Sequence, residues 1–289
     1  MREYAATRNT LRSIVAVDYG FTTKVQYLHC ISSVLLAFMI LTAPPLANHD
    51  RRVGRCACVS LALLLAIGLQ DSANGQSATA APAPPTKETQ AAMTPDSALA
   101  ELKAGNARFV AGQSTNRDLR ADVKTTASGQ YPFAVVLSCL DSRVPIEIVL
   151  DQGIGDIFSA RVAGNVLDDD ILGSMEFGCK ASGAKLIAVI GHSNCGAIKG
   201  AVDNVEMGKL TGLLAKIKPA IGKVPASVSP RTSKNLEFVD KVAEANVRQV
   251  MQQIRERSSI LRQMLDQHQI GLVGGIYDLS TGEVHFLEK

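Results

Sequence analysis

Two continuous apolar runs constrain the fold most. Residues 133–139 read FAVVLSC and residues 185–191 read KLIAVIG. Neither alternates apolar with polar residues, and both are rich in β-branched side chains, so each suits a strand buried on both faces. DIFSARV (156–162) reads the same way. ILGSMEFGCKASG (171–183) has helical spacing and a glycine, Gly183, to end it. An earlier helix is signalled by Thr94 or Asp96 as cap, with Leu99, Leu102 and Phe109 on one stripe. From Asn235 onward Val239, Val242, Ala243, Val247, Val250, Met251 and Ile254 recur at three- and four-residue steps. Ser258 or Ser259 then starts a shorter helix ending near His268. The chain closes with a strand, a turn at Ser280–Gly282 and a short edge strand. Strands alternating with helices predict an α/β fold: a mostly parallel β-sheet flanked by α-helices, with an antiparallel C-terminal edge strand. Gly153 and Gly155 alone do not make a phosphate loop, and no internal repeat is visible.

The N-terminal part has a different composition. Residues 1–75 hold 7 Lys and Arg against 4 Asp and Glu, which leaves 23 of each sign in the remainder. With a formally neutral main part and no basic block, nucleic acid is not an expected partner. RRVGR (51–55), the apolar run CACVSLALLLAIGL (56–69) and the small residues Ala73 and Gly75 follow the order of a secretory signal peptide. The run is too short to span ~30 Å of hydrocarbon, so no stable membrane span is expected in the mature chain. Cleavage near Gly75/Gln76 would export the protein to the periplasm or the medium. The second apolar run, at 31–43, fits either a translation start that truly lies near residue 50, the preferred reading, or a membrane-associated extension over residues 1–50. Residues 76–93, rich in Ala, Pro and Thr, read as a flexible tether. The folded domain is expected over 94–289.

Chemistry concentrates where two of the strands end. Ligands of parallel sheets sit beyond the carboxyl ends of the strands. Cys139 ends one run, and His192 and Cys195 follow another. If those strands are neighbours, two thiolates and an imidazole meet at one point. That set suits zinc, and three protein ligands leave a fourth position open. Cys195 also stands where a helix begins, and free N–H groups there favour a thiolate. Taken singly, each cysteine is more often a buried small hydrophobe and the histidine a hydrogen-bonded one. Asp141 and Arg143, two residues apart just after Cys139, can form a bidentate pair beside such a metal; elsewhere such a pair is a solvated surface contact worth little.

CLDSR (139–143) followed by GHSNCG (191–196) resembles the signature of the β-class carbonic anhydrases, C-x-D-x-R and then H-x-x-C. The resemblance, to an exported bacterial member, continues through DQGIGDIFSARVAGNV (151–166) and GIYDLSTGEV (275–284). It covers residues 95–289 or so and leaves the prefix and the tether outside. It implies that Cys139, His192 and Cys195 bind Zn2+. A zinc-bound hydroxide would hydrate carbon dioxide reversibly to bicarbonate and a proton. Asp141 would accept the hydroxide's hydrogen bond, with Arg143 holding Asp141. Gln130 would bind the substrate oxygen, and Phe158 and Phe177 would line the carbon dioxide pocket.

The resemblance further implies that each site is completed across a subunit contact. Gln130 and Phe177 would then serve the partner's metal in a homodimer or a higher even oligomer. In an inactive form at low pH, Asp141 would be the fourth zinc ligand. Bicarbonate regulation of the kind found in part of the family is not expected, because Val136 and Ser138 stand where its pocket has tryptophan and glycine, although Arg161 matches its third member. Cys179 reads as a buried filler, His268 and His285 as surface residues, and Asp168, Asp169 and Asp170 as a cap for the next helix. Two alternatives share the motif: a carbonyl sulfide or carbon disulfide hydrolase on the same site, and a noncatalytic zinc-stabilised binding module.

Overall fold

A computed structural model describes residues 82–287. The apolar run at 56–69, the extension before it and the first part of the expected tether lie outside them. Among the described residues no helix is long and apolar enough to cross a membrane.

Order begins earlier than composition suggests. Thr86 caps helix α1 (Lys87–Ala92) in a reciprocal capping box with Thr89. Gln90 of α1 is buried, and its Nε2 donates to the carbonyls of Pro132 at 2.7 Å and Ser182 at 2.8 Å. The 76–93 stretch is therefore not a tether throughout. One glutamine finds two carbonyls far away in sequence, a tertiary event that an Ala/Pro/Thr composition does not announce.

Thr94 caps α2 (Pro95–Val110), again with a reciprocal partner, Ser97. Its buried residues are Ala98, Leu102, Gly105 and Asn106, while Leu99 and Phe109 are only half-buried. The stripe is shifted because α2 presses on the turn at Leu150: a Cβ on Gly105 would collide with the Leu150 carbonyl. Asp118 caps α3 (Leu119–Thr126).

The sheet has the order β2-β1-β3-β4-β5. Its strands are β1 (Ala134–Ser138), β2 (Ile157–Arg161), β3 (Leu186–His192), β4 (Gly271–Tyr277) and β5 (Val284–Phe286). The first four run parallel, and β5 pairs antiparallel to β4. Every residue of β1 and β3 is buried. Val135, Leu137, Ile187 and Val189 face one layer of helices, and Ala134, Val136, Ala188 and Ile190 face the other. β2 departs from expectation: it is an edge strand, half-exposed along its length, with Ser159 and Arg161 open to solvent.

One helical layer holds α2 and the short α4 (Ile146–Val149). The other holds α5 (Asp169–Glu176), α9 (Leu236–Arg257) and α10 (Ser259–Asp266). Asp168 caps α5, which passes through a π-helical turn at Phe177–Ala181 and stops at Gly183. Asn235 caps α9, and Ser258 caps α10. A third apolar cluster joins α9 to α6 (Gly196–Val202), α7 (Gly208–Ala215) and α8 (Lys218–Lys223), and it includes Cys139 and Cys195.

Candidate metal centre

β1 and β3 are neighbours, and their register decides where the two motifs meet. Ser138 pairs with Ile190, so Cys139 leaves the sheet at the level of Gly191, beside His192, the last residue of β3. Three residues after His192, Cys195 caps α6. The ligand atoms of Cys139, His192 and Cys195 lie within 4.8 Å of one another, and all three residues are buried. All three cysteines among the described residues are free thiols. Cys179 lies apart in the core, where burial pushes its thiol up to about 12, so it is an inert filler as expected.

The electrostatics of this trio suit a cation. Two sulfurs this close do not both ionise unaided. The Cys195 thiol hydrogen-bonds to Cys139 and pulls the pKa of Cys139 down, while the Cys139 thiolate holds the proton of Cys195 and drives its pKa up. His192 Nδ1 lies 2.9 Å from the Ser193 carbonyl oxygen, which can only accept, so Nδ1 bears the hydrogen. Nε2 is left as a lone pair, buried and with no hydrogen-bond partner. A shared proton between thiols and an orphaned imidazole nitrogen fit a thiolate-binding cation such as zinc.

Asp141 borders the same point, with Oδ2 3.9 Å from His192 Nε2. Arg143 grips it as a fork: Nε donates to Oδ1 at 2.9 Å and Nη2 to Oδ2 at 2.8 Å. The Arg143 backbone N–H adds a third bond to Oδ1 at 3.0 Å. Arg143 therefore holds the carboxyl well below the usual carboxylate range, and Asp141 stays an acceptor at any working pH.

Two supports of the first motif were not read from sequence. Arg161 Nε donates to the Cys139 carbonyl at 3.0 Å, and its Nη2 donates to the Asp141 carbonyl at 2.6 Å. The segment from Cys139 to Asp141 is thus pinned by a side chain from β2. Gly164 donates its N–H to Cys139 Sγ at 3.3 Å from a 3-10 turn at Ala163–Asn165. The Gly-Asn pair in ARVAGNV marks a turn, but nothing in it names the sulfur it serves. Val136 and Ser138 are fully buried in β1.

The expected substrate residues are placed differently. Gln130 lies exposed on the loop after α3, in a hollow bounded by Thr126, Ile154 and Gly155. Phe158 of β2 is half-buried against the core, whereas Phe177 is 56% exposed. Their rings meet edge-to-face, with centroids 6.2 Å apart. The two phenylalanines thus stand together, and among the described residues no hydrogen bond joins Gln130 to the cysteine–histidine group.

Residues 134–284 match the family described as carbonic anhydrase. Carbonic anhydrase 2 of Mycobacterium tuberculosis (strain ATCC 25618 / H37Rv) is 35% identical over 189 residues, which is 65% of this chain and 90% of the relative. The carbonic anhydrase of Mycolicibacterium smegmatis is 35% identical over 191 residues, covering 66% and 92% respectively. Among solved structures, the β-carbonic anhydrase CafA of Aspergillus fumigatus superposes with a TM-score of 0.54 at 26% identity, covering 67% of this chain and 90% of that one.

Proposed function

Because this chain belongs to the carbonic anhydrase family and catalyses the reversible hydration of carbon dioxide to bicarbonate and a proton, we propose that Cys139, His192 and Cys195 are its zinc ligands and Asp141 its catalytic acceptor. The observation that carries this reading is the meeting of three buried ligand atoms within 4.8 Å, with the Arg143-gripped carboxyl of Asp141 at their edge. Bound there, zinc would supply the Lewis acidity that makes a water nucleophilic near neutral pH.

Each of the chain's own residues has a distinct task. Asp141 accepts the hydrogen bond of the attacking water and aims its lone pair at the substrate carbon. Arg143 occupies both carboxylate oxygens from one side and fixes that aim. Arg161 stops the Cys139–Asp141 backbone from drifting. His192 presents Nε2 because its Nδ1–H donates to the Ser193 carbonyl oxygen.

Phe158 and Phe177 line a pocket for carbon dioxide and Gln130 binds the substrate oxygen, with Gln130 and Phe177 serving the partner's metal across a subunit contact. Leu140, 59% exposed next to Cys139 and Asp141, and Phe177, 56% exposed, are apolar side chains that such a contact would cover. The active unit is then a homodimer or a higher even oligomer. The order of basic, apolar and small residues through 51–75 supports an exported enzyme trimmed near Gly75.

Stopped-flow hydration of carbon dioxide with metal analysis of the same sample tests the core of this reading. Arg143→Ala is expected to lose hydration and keep its zinc. If Arg143→Ala keeps both, the site is a structural metal site in a binding module. Faster turnover of carbonyl sulfide or carbon disulfide than of carbon dioxide would reassign the substrate.

A further inference from the structure

The metal centre leans on a helix that holds none of its ligands. Asn246, in the middle of α9, is fully buried. Its Nδ2 donates to the Gly164 carbonyl at 2.9 Å, and Gly164 in turn donates its N–H to Cys139 Sγ. Gly164 sits at φ +66, and a Cβ there would come within 2.8 Å of Ile217 and 3.1 Å of Ala197. Only glycine fits so tight a left-handed corner. One helical stretch nearer the N-terminus, Asp240 Oδ1 accepts the Asn194 N–H at 2.8 Å. Asn194 is also left-handed, at φ +55, and lies between His192 and Cys195.

We propose that Asn246 and Asp240 are positioning residues, through which α9 sets the geometry of both halves of the ligand set. Asn246 acts through Gly164 on the Cys139 sulfur, and Asp240 acts through Asn194 on the His192–Cys195 turn. α9 is a suitable reference body, because Phe238, Val239, Val242, Val247, Val250 and Ile254 bury it against the sheet and the α6–α8 cluster. A hydrogen bond to a metal thiolate tunes its donor strength, and outer-shell partners of this kind hold ligands in their binding orientation. The inference rests on the reading of Cys139, His192 and Cys195 as metal ligands.

α9 contains its own control. Gln249 is also buried, donates Nε2 to the Lys216 carbonyl at 2.9 Å and leaves its Oε1 without a partner, as Asn246 leaves its Oδ1. The chemistry is the same, but Lys216 lies on a segment that carries no ligand. A hydrogen bond that served folding alone would behave alike at both positions.

The test uses holoenzyme of the wild type and of Asn246→Leu, Asp240→Ala and Gln249→Leu. Zinc release to a chelator, the thiolate-to-metal absorption of the cobalt-substituted enzyme and thermal unfolding are measured on each. Asn246→Leu and Asp240→Ala are expected to release zinc about 10- to 100-fold faster than wild type. Asn246→Leu is also expected to shift the cobalt band, because it frees the donor on the Cys139 sulfur. Gln249→Leu is expected to match wild type in both, whatever its melting temperature. Release within twofold of wild type from both test variants, with an unmoved band, overturns the proposal, as does equal acceleration in Gln249→Leu. If Asn246→Leu does not fold, the half-exposed Asp240→Ala decides by its release rate alone. A wild-type enzyme that takes up neither zinc nor cobalt would instead sink the metal reading on which this rests.

Discussion

Asp141 and Asp151 lie in one short stretch of chain, and each has its carboxylate set against arginine. Asp141 is gripped by a neighbour two residues away, with its side chain 17% exposed at the open end of the sheet. Asp151 is buried to 4% and is gripped from afar: by Arg108, by Arg117 at 2.7 Å and by the Thr115 hydroxyl at 2.8 Å. Arg117 also donates to the Asp151 carbonyl at 2.7 Å, so one guanidinium fixes both the side chain and the left-handed backbone at φ +48. Both carboxyls are held below the usual range. For Asp141 the first cause is the Arg143 fork. For Asp151 burial pushes up, and Arg108, Thr115 and Arg117 together outweigh it. An arginine-bound aspartate is therefore not a functional signal by itself. What separates the two is the surroundings: Asp141 is left with room to accept one more bond next to a ligand cluster, and Asp151 has every oxygen taken.

The largest expected effect breaks this symmetry on the side of activity. In the proposed mechanism Asp141→Ala removes the acceptor that aims the nucleophile, and groups in such a role contribute about 10²- to 10⁴-fold in rate. Hydration should fall by that factor in stopped-flow traces, while zinc content and melting temperature stay near wild type. An Asp141→Ala enzyme that unfolds, or that loses its metal, would put Asp141 in the same class as Asp151.

Next in size is the mirror experiment. Asp151→Asn keeps a side chain that tolerates the left-handed backbone but strips the charge from beneath Arg117, which is 8% exposed. Breaking a buried pair by removing one partner leaves an uncompensated charge, a loss of about 3 kcal/mol, at the low end of the range because Arg108 keeps partial access to water. Chemical denaturation should register this loss, with hydration per folded molecule unchanged.

These two sites also mark what was legible in the sequence. Cys139, Asp141, Arg143, His192 and Cys195 sit in two short motifs at strand ends, and the strands announce themselves as unbroken apolar runs. Local spacing therefore anticipates the meeting of Cys139, His192 and Cys195 and the fork on Asp141. The Asp151 network, the Gly164 N–H on Cys139 and the Gln90 clamp join residues 25 to 92 positions apart, the extremes being Gly164–Cys139 and Gln90–Ser182. No pattern along the chain encodes such pairings. β2 misled for a different reason: an apolar start in DIFSARV hides that Ser159 and Arg161 face water at an edge. In the sequence Arg161 matches only a regulatory pocket, whereas its guanidinium holds two carbonyls of the first motif.

A smaller effect concerns acid. The folded-state pKa of Asp151 lies below the unfolded value of ~3.9, so near that pH the unfolded chain binds more protons. Its contribution is present above ~4 and is lost as pH falls through that value toward the folded pKa. Asp141 acts in the same direction. Asp156, raised first by burial, acts in the opposite one. Stability of the wild type should therefore fall as pH drops from 5 to 3, and Asp151→Asn should flatten that slope. An unchanged slope in Asp151→Asn would mean that acid lability arises elsewhere.

The smallest effect tests whether the strength of the Asp151 network lies in its buried centre. Arg108 also reaches Glu101 at 3.1 Å, but Glu101 is 40% exposed and Arg108 31%. Exposed pairs are screened by water and typically contribute 0–1 kcal/mol. Glu101→Ala should therefore cost less than about 1 kcal/mol by denaturation, although it removes a carboxylate from the same arginine that serves Asp151. A loss from Glu101→Ala as large as that from Asp151→Asn would show that Arg108 is held by the pair of acids acting together. The contrast with Asp141 would then rest on charge count, not on which carboxylate is enclosed.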